Sequence, residues 1–181
     1  MKASKLTGMP IISVADGIRV GQVVDLRIMA TSPQVRALLL KTGRAQTVLP
    51  FEAIRTIGPE AIMIDGLDVV RADDELASGE IVRHFTALVG RETAGDDGSY
   101  LGDVKDLEID PSSGRIDAIL LHRGGMMGIG GEDVSVPGDH LRAFGPKLLT
   151  VAAPVNDADH SGAPSDAEIA QQAERTSVGR F

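Results

Sequence analysis

The sequence has no cysteine and no tryptophan, and only one tyrosine and four phenylalanines in 181 residues. Without cysteine there is no disulfide framework, thiolate zinc site, iron–sulfur cluster or thiol nucleophile. With aromatic residues at 3% of the chain, the core has to be aliphatic, which a 43% apolar share allows. Aromatic scarcity also removes the stacking platforms on which small barrels hold single-stranded nucleic acid. Acidic residues number 26 against 18 Lys and Arg, a net charge of −8, which further disfavours a phosphate-backbone binder. No run approaches about 18 uncharged apolar residues, so no membrane span is expected. Residues 1–5 lead into no apolar signal region, and Asp16, Arg19 and Asp25 follow. A soluble cytoplasmic protein is the expectation.

What the chain does have is an internal repeat. Residues 17–40 align without a gap on 98–121, at an offset of 81 with 10 identities in 24 positions. These are Gly17/Gly98, Gly21/Gly102, Val23/Val104, Asp25/Asp106, Leu26/Leu107, Ile28/Ile109, Ser32/Ser113, Ala37/Ala118, Leu39/Leu120 and Leu40/Leu121. At an offset of 87, Pro50/Pro137, Arg55/Arg142, Gly58/Gly145 and Pro59/Pro146 continue the match, and upstream Leu6 and Gly8 match Leu88 and Gly90. The pattern divides the chain into a first copy (1–66), an acidic connector (67–85), a second copy (86–153) and a tail (154–181).

Each copy reads as short antiparallel strands. Residues 19–29 alternate apolar and polar side chains with nearly period two, and 35–40 form an aliphatic run between turn residues. In the second copy, 104–109 and 116–121 repeat this around the turn signal Asp110-Pro111-Ser112-Ser113-Gly114. The strands over 45–49 and 134–136 each stop at a proline, followed by one tight helical turn. A further short strand is expected near Ile81-Val82 in the connector. Short strands at this spacing predict an all-β chain of two small barrels, each closing its own edges. In the tail, Ser165-Asp166-Ala167-Glu168 has the capping-box pattern of a short helix after a polar linker.

The order Leu-x-Gly, Gly-x-x-x-Gly-x-Val-x-Asp-Leu-x-Ile, aliphatic strand, Leu/Val-Pro, Arg-x-x-Gly-Pro resembles the PRC-barrel family. That fold occurs in the cytoplasmic part of the photosynthetic reaction-centre H subunit and in the C-terminal half of a ribosome maturation factor. The glycine-rich segment Gly124-Gly125-Met126-Met127-Gly128-Ile129-Gly130 is similar to the loop of bacterial stand-alone members. The resemblance implies a binding or assembly module rather than a catalyst. Neither the reaction-centre membrane helix nor the maturation factor's preceding domain accompanies the repeats, so neither specific role carries over.

The residues themselves suggest little chemistry. Segment 124–131 has no phosphate-loop spacing and runs into a strand rather than a helix, so no nucleotide cofactor is expected. Its Met126, Met127 and Ile129 either adapt to a partner surface or plug a barrel end. His84, His122, His140 and His160 lack metal-ligand spacing, and Asp96-Asp97-Gly98 with Asp103 lacks a calcium-loop ladder, so no metal is expected. The repeated pairs Gly21/Gly102, Asp25/Asp106, Pro50/Pro137 and Arg55/Arg142 are read as structural. A mid-strand Asp is unusual, and the two carboxylates are expected to bond a nearby backbone turn or to pair with Arg55 or Arg142. No nucleophile, metal or general base accompanies them, so no enzyme is expected.

Charge differs between the copies. Eight basic and four acidic residues give residues 1–64 a charge of +4, while six basic and eleven acidic residues give 88–151 a charge of −5. Opposite signs suggest that the copies face each other, within one chain or as a homodimer, with charge setting their orientation. The leading functional expectation is a non-enzymatic protein-interaction module. The alternatives are a small-molecule or metal-ion sensor and, on fold analogy alone, an RNA-processing or ribosome-associated factor.

Overall fold

The two copies fold alike, strand for strand. A computed structural model of the chain describes residues 1–72, 82–124 and 131–152. The first copy contains β1 (Pro10–Ser13), β2 (Ile18–Met29), β3 (Val35–Thr42), β4 (Ala45–Pro50), β5 (Thr56–Ile57) and β6 (Ile62–Ile64). Two short strands follow, β7 (Arg71–Ala72) and β8 (Val82–His84), and then one helical turn, α1 (Phe85–Leu88). The second copy contains β9 (Glu92–Gly95), β10 (Tyr100–Ile109), β11 (Ile116–Arg123), β12 (Glu132–Pro137), β13 (Leu141–Phe144) and β14 (Leu149–Val151). One sheet runs β5-β6-β1-β2-β3-β4-β7, with β8 also on β2; the other runs β13-β14-β9-β10-β11-β12. Pairing is antiparallel except for β1 with β6 and β9 with β14.

The repeat extends to irregularities. In both copies the central hairpin shifts register at the same two places, after Val23 and Arg27 in β2 and after Val104 and Glu108 in β10. A bulge sets two residues against one. Val23 and Leu26, three apart, are therefore both buried, as are Val104 and Leu107. This is why the alternation in the sequence is only nearly period two. It is also how Asp25 and Asp106, beside the bulge, come to lie inside at 7% and 6% exposure.

The expected closed barrels are not found among the described residues. Among the described residues each sheet is an open path, ending at β5 and β7 in one and at β12 and β13 in the other. Pro50 and Pro137 have no N–H with which to extend the ladder, and a single 3₁₀ turn (Phe51–Ala53, Gly138–His140) carries the chain onward from each. Apolar side chains of both copies instead form one cluster. It includes Leu6, Leu26, Ile28, Leu38, Leu40 and Ile62 from the first and Leu88, Leu107, Ile119, Leu121, Phe144 and Leu149 from the second. Full burial of each such side chain is worth about 1.5–3 kcal/mol. A unit of about sixty residues buries too little surface to be more than marginal alone.

The copies are joined by reciprocal exchange about a pseudo-two-fold. β8, which leads into the second copy, pairs with β2 of the first through Arg27↔His84, Ile28↔Arg83 and Met29↔Val82. The start of the first copy does the same to the second: Lys2 bridges Glu108, and Met1 and Ile109 exchange two main-chain hydrogen bonds. The turn Ala3–Lys5 packs on β10 as α1 packs on β2. On the axis, the Val35 N–H donates to the Gly114 carbonyl (2.9 Å) and the Ile116 N–H to the Pro33 carbonyl (2.8 Å), on either side of a Gln34–Arg115 bridge. Gly114 has φ of +74°, and a Cβ there would lie 2.6 Å from the Phe51 ring, so both conformation and packing require glycine. The segment expected to be an exposed connector therefore supplies β7 to the edge of β4 and β8 to β2, with 73–81 outside the described residues. The tail helix expected after Ser165 also falls outside them.

Candidate interaction surfaces

The repeated carboxylates are the clamps of the junction. Asp25 accepts hydrogen bonds from the Thr86 N–H (3.2 Å) and hydroxyl (2.5 Å) and from its neighbour's Leu26 N–H (2.7 Å), with His84 Nδ1 at 3.3 Å. Asp106 accepts from the Ser4 N–H (3.1 Å) and hydroxyl (2.5 Å) and from the Leu107 N–H (2.8 Å). Each carboxylate thus anchors the first turn of the other copy. Such charge-assisted bonds are shorter and stronger than neutral ones. The hydroxyl partners went unnoticed in the sequence, although Ser4 and Thr86 stand two residues before the matched Leu6 and Leu88.

Arg55 and Arg142 do not reach these carboxylates, contrary to one sequence expectation. Arg55 pairs with Asp65 at 2.9 Å and Arg142 lies 3.6 Å from Asp96, both on the surface. The clamps lie beside the bulges of β2 and β10, while the arginines follow the 3₁₀ turns after Pro50 and Pro137. Across the junction His84 stands by Asp25, while other ion pairs among the described residues lie within a copy. Arg36–Glu52, Lys105–Asp133 and Arg115–Asp117 each join residues of one copy. Main-chain pairing, apolar packing and the two carboxylate clamps make the junction.

Gly21 and Gly102 mark a close approach. A Cβ at Gly21 would lie 2.5 Å from the Lys41 carbonyl oxygen, and one at Gly102 2.7 Å from that of His122. Gly124 ends β11 with φ of +75°, while Gly125, Met126, Met127, Gly128, Ile129 and Gly130 lie outside the described residues. At the junction, Met29, Gln34, Arg36, Phe51, Glu52, Ser112 and Ser113 line a half-open groove of about 580 Å³. Gln34 Nε2 donates across it to the Ser113 carbonyl (2.7 Å). Among the described residues no three His, Asp or Glu side chains gather as a metal site, and no helix is long and apolar enough to cross a membrane.

The repeat, the shared bulges and the strand order set out above agree with a comparison against protein families. The PRC-barrel domain model matches twice, over residues 1–71 and 80–154. The chain belongs to the PRC-barrel family. No curated protein matches it.

Set side by side, the two PRC-barrel copies differ at their outer tips, where β2 begins and β3 ends in one and β10 begins and β11 ends in the other. In the first, Arg19, Gly21, Gln22, Lys41 and Gly43 line a shallow basic recess of about 280 Å³. In the second, the matching positions carry Tyr100, Asp103 and His122. There the Tyr100 hydroxyl donates to Asp103 (3.0 Å), and Asp133 takes both Lys105 Nζ (2.6 Å) and His122 Nδ1 (2.9 Å). Partial desolvation, and then the Asp103 carboxylate, push the Tyr100 phenol up. Hydrogen bonds from Lys105 and then His122 hold the Asp133 carboxyl below its ordinary range.

Proposed function

We propose that this PRC-barrel protein is a non-enzymatic interaction or assembly module acting in the cytoplasm, with a protein as its partner. The observation that carries this reading is how the repeated polar residues are used. Asp25 and Asp106 are occupied in holding the copies together, and the differences between the copies lie on exposed tips, one basic and one mixed. A fused pair of similar units with dissimilar outer ends suits a platform that presents two surfaces in fixed relation. Electrostatic contrast of this kind gives partner choice and association rate more than affinity.

The test is cross-linking of the full chain in its native host, with two variants: Arg19→Glu with Lys41→Glu, and Met126→Ser with Met127→Ser and Ile129→Ser. The expected result is a protein partner lost in one variant while melting is unchanged. A second reading, a small-molecule-binding protein, draws on the junction groove with its polar Gln34, Arg36, Glu52 and Ser113. A saturable melting shift with a metabolite or metal ion, and no protein partner, favours that reading and overturns the first. Salt-sensitive retention of RNA by the basic tip instead favours the RNA-associated alternative.

A further inference from the structure

The pseudo-two-fold makes one asymmetry conspicuous. In the first copy β4 is paired on both sides, with β3 across Ala45–Pro50 and with β7 through Thr47↔Ala72 and Val48↔Arg71. The offset of 87 puts Val134 and Ser135 of β12 in the places of Thr47 and Val48. β12 is held in full register on β11, from Ala118↔Pro137 to Arg123↔Glu132. Among the described residues nothing pairs on its other side. Among the described residues, then, a regular strand of six residues presents one open edge, a template for strand addition.

Charge identifies the occupant. The edge carries Glu132 and Asp133 at one end and Asp139 just past the other, all exposed. Glu132 and Asp139 have no ion pair with a described residue, whereas Asp133 holds Lys105 and His122. In the first copy the strand on this edge brings an arginine, Arg71, opposite Val48. The chain's own continuation past β14 is a poor substitute: residues 152–181 hold five acidic and two basic residues, with Asp157 or Ala158 falling where Arg71 stands. A second copy of the same edge sets acid against acid, and like charges across strands are unfavourable. We propose that the open edge of β12 takes up an extended, basic segment of a partner protein as an added strand. This rests on the interaction-module reading and specifies its surface and the partner's charge.

The test uses the full chain and a fluorescent peptide of alternating lysine and valine, roughly eight residues long, the length of an ordinary strand. Binding is read by anisotropy and located by amide hydrogen exchange. The expected result is saturable binding that slows exchange over 132–137 but not over 45–50, and that weakens about tenfold as added salt shortens the screening length from about 10 Å to about 3 Å. Glu132→Lys with Asp139→Lys, at unchanged melting temperature, is expected to weaken it by a similar factor; a glutamate–valine peptide is expected not to bind.

Absence of saturable binding, or protection at another strand, overturns the proposal. So does slow exchange over 132–137 without peptide that disappears when residues 153–181 are removed, since the occupant is then the tail. Protection that rises with protein concentration alone identifies a second copy instead. If the peptide fails while cross-linking captures a partner through the basic tip or the 124–130 segment, the edge proposal falls and the broader reading stands. If no protein engages any surface, both fall.

Discussion

Replacing Asp106 by alanine tests whether the carboxylate clamps hold the two copies as one folding unit. The carboxylate accepts two bonds from Ser4 in the other copy and one from the Leu107 N–H of its own strand. Ser4 lies at the surface, and its donors regain water when the carboxylate goes. The Leu107 N–H lies in buried backbone, and leaving such a donor without a partner costs about 1–3 kcal/mol. Loss of a charge-assisted bond across the junction adds about 1.5 kcal/mol. Together the change costs about 3 kcal/mol, a large part of the 5–15 kcal/mol typical of a folded domain. At about 2–4 °C per kcal/mol for a chain of this size, the melting temperature falls by about 6–12 °C. Asp106→Asn keeps an acceptor for Leu107, and the Ser4 hydroxyl can turn to accept from the new amide, so its cost is nearer 1 kcal/mol. Calorimetry checks both variants, and Asp25→Ala gives a matching loss by pseudo-symmetry. In every case one cooperative transition is expected, because the copies share a core. A loss below about 1 kcal/mol for Asp106→Ala, or a split into two transitions, refutes the clamp as described.

Three further outcomes follow from the same geometry. Residues 1–72 expressed alone lack β8 and α1 and are expected to be unfolded or to dimerise, with Ser4 of one molecule on Asp25 of the other; a stable monomer by sedimentation contradicts the reciprocal junction. Gly114→Ala combines left-handed strain with a clash on the Phe51 ring and is expected to cost about 2–4 kcal/mol, with part recovered by Phe51→Ala in a double-mutant cycle. The Asp133 carboxyl is expected to titrate below the ordinary carboxylate range by NMR and to move up in Lys105→Met. Since its folded value is depressed, what it contributes to stability is present above the ordinary range and is lost as pH falls through the depressed value.

The copies meet within one chain, one of the two arrangements their opposite charges suggested. Net charge is summed over every ionised side chain, whereas the junction is built from main-chain groups at Val35, Gly114, Ile116 and Pro33 and from only two of the carboxylates, both buried. The charge contrast is displayed on the tips and edges, the surfaces proposed for a partner. Pairing with Arg55 or Arg142 is one of two expectations for the carboxylates, the other being a bond to a backbone turn such as the Thr86 and Ser4 N–H groups make. A matched acid and a matched base within each copy suggested a pair, but the strand ladders put them in different places and gave the acid a hydroxyl from the other copy.

The sequence by itself determined the duplication, the all-β character, the strands from Ile18 through Pro50 and their counterparts in the second copy, and the family. These follow from glycine, proline and apolar spacing, which act locally and repeat. Only the tertiary structure decided that the copies share one core, that Asp25 and Asp106 reach across to Thr86 and Ser4, and that among the described residues the sheets are open and β4 has a second partner where β12 has none. Those features depend on pairings between residues from 23 positions apart, at β4 and β7, to 108 apart, at Met1 and Ile109. No local pattern encodes such contacts; they form because neither unit of about sixty residues can bury its own aliphatic face.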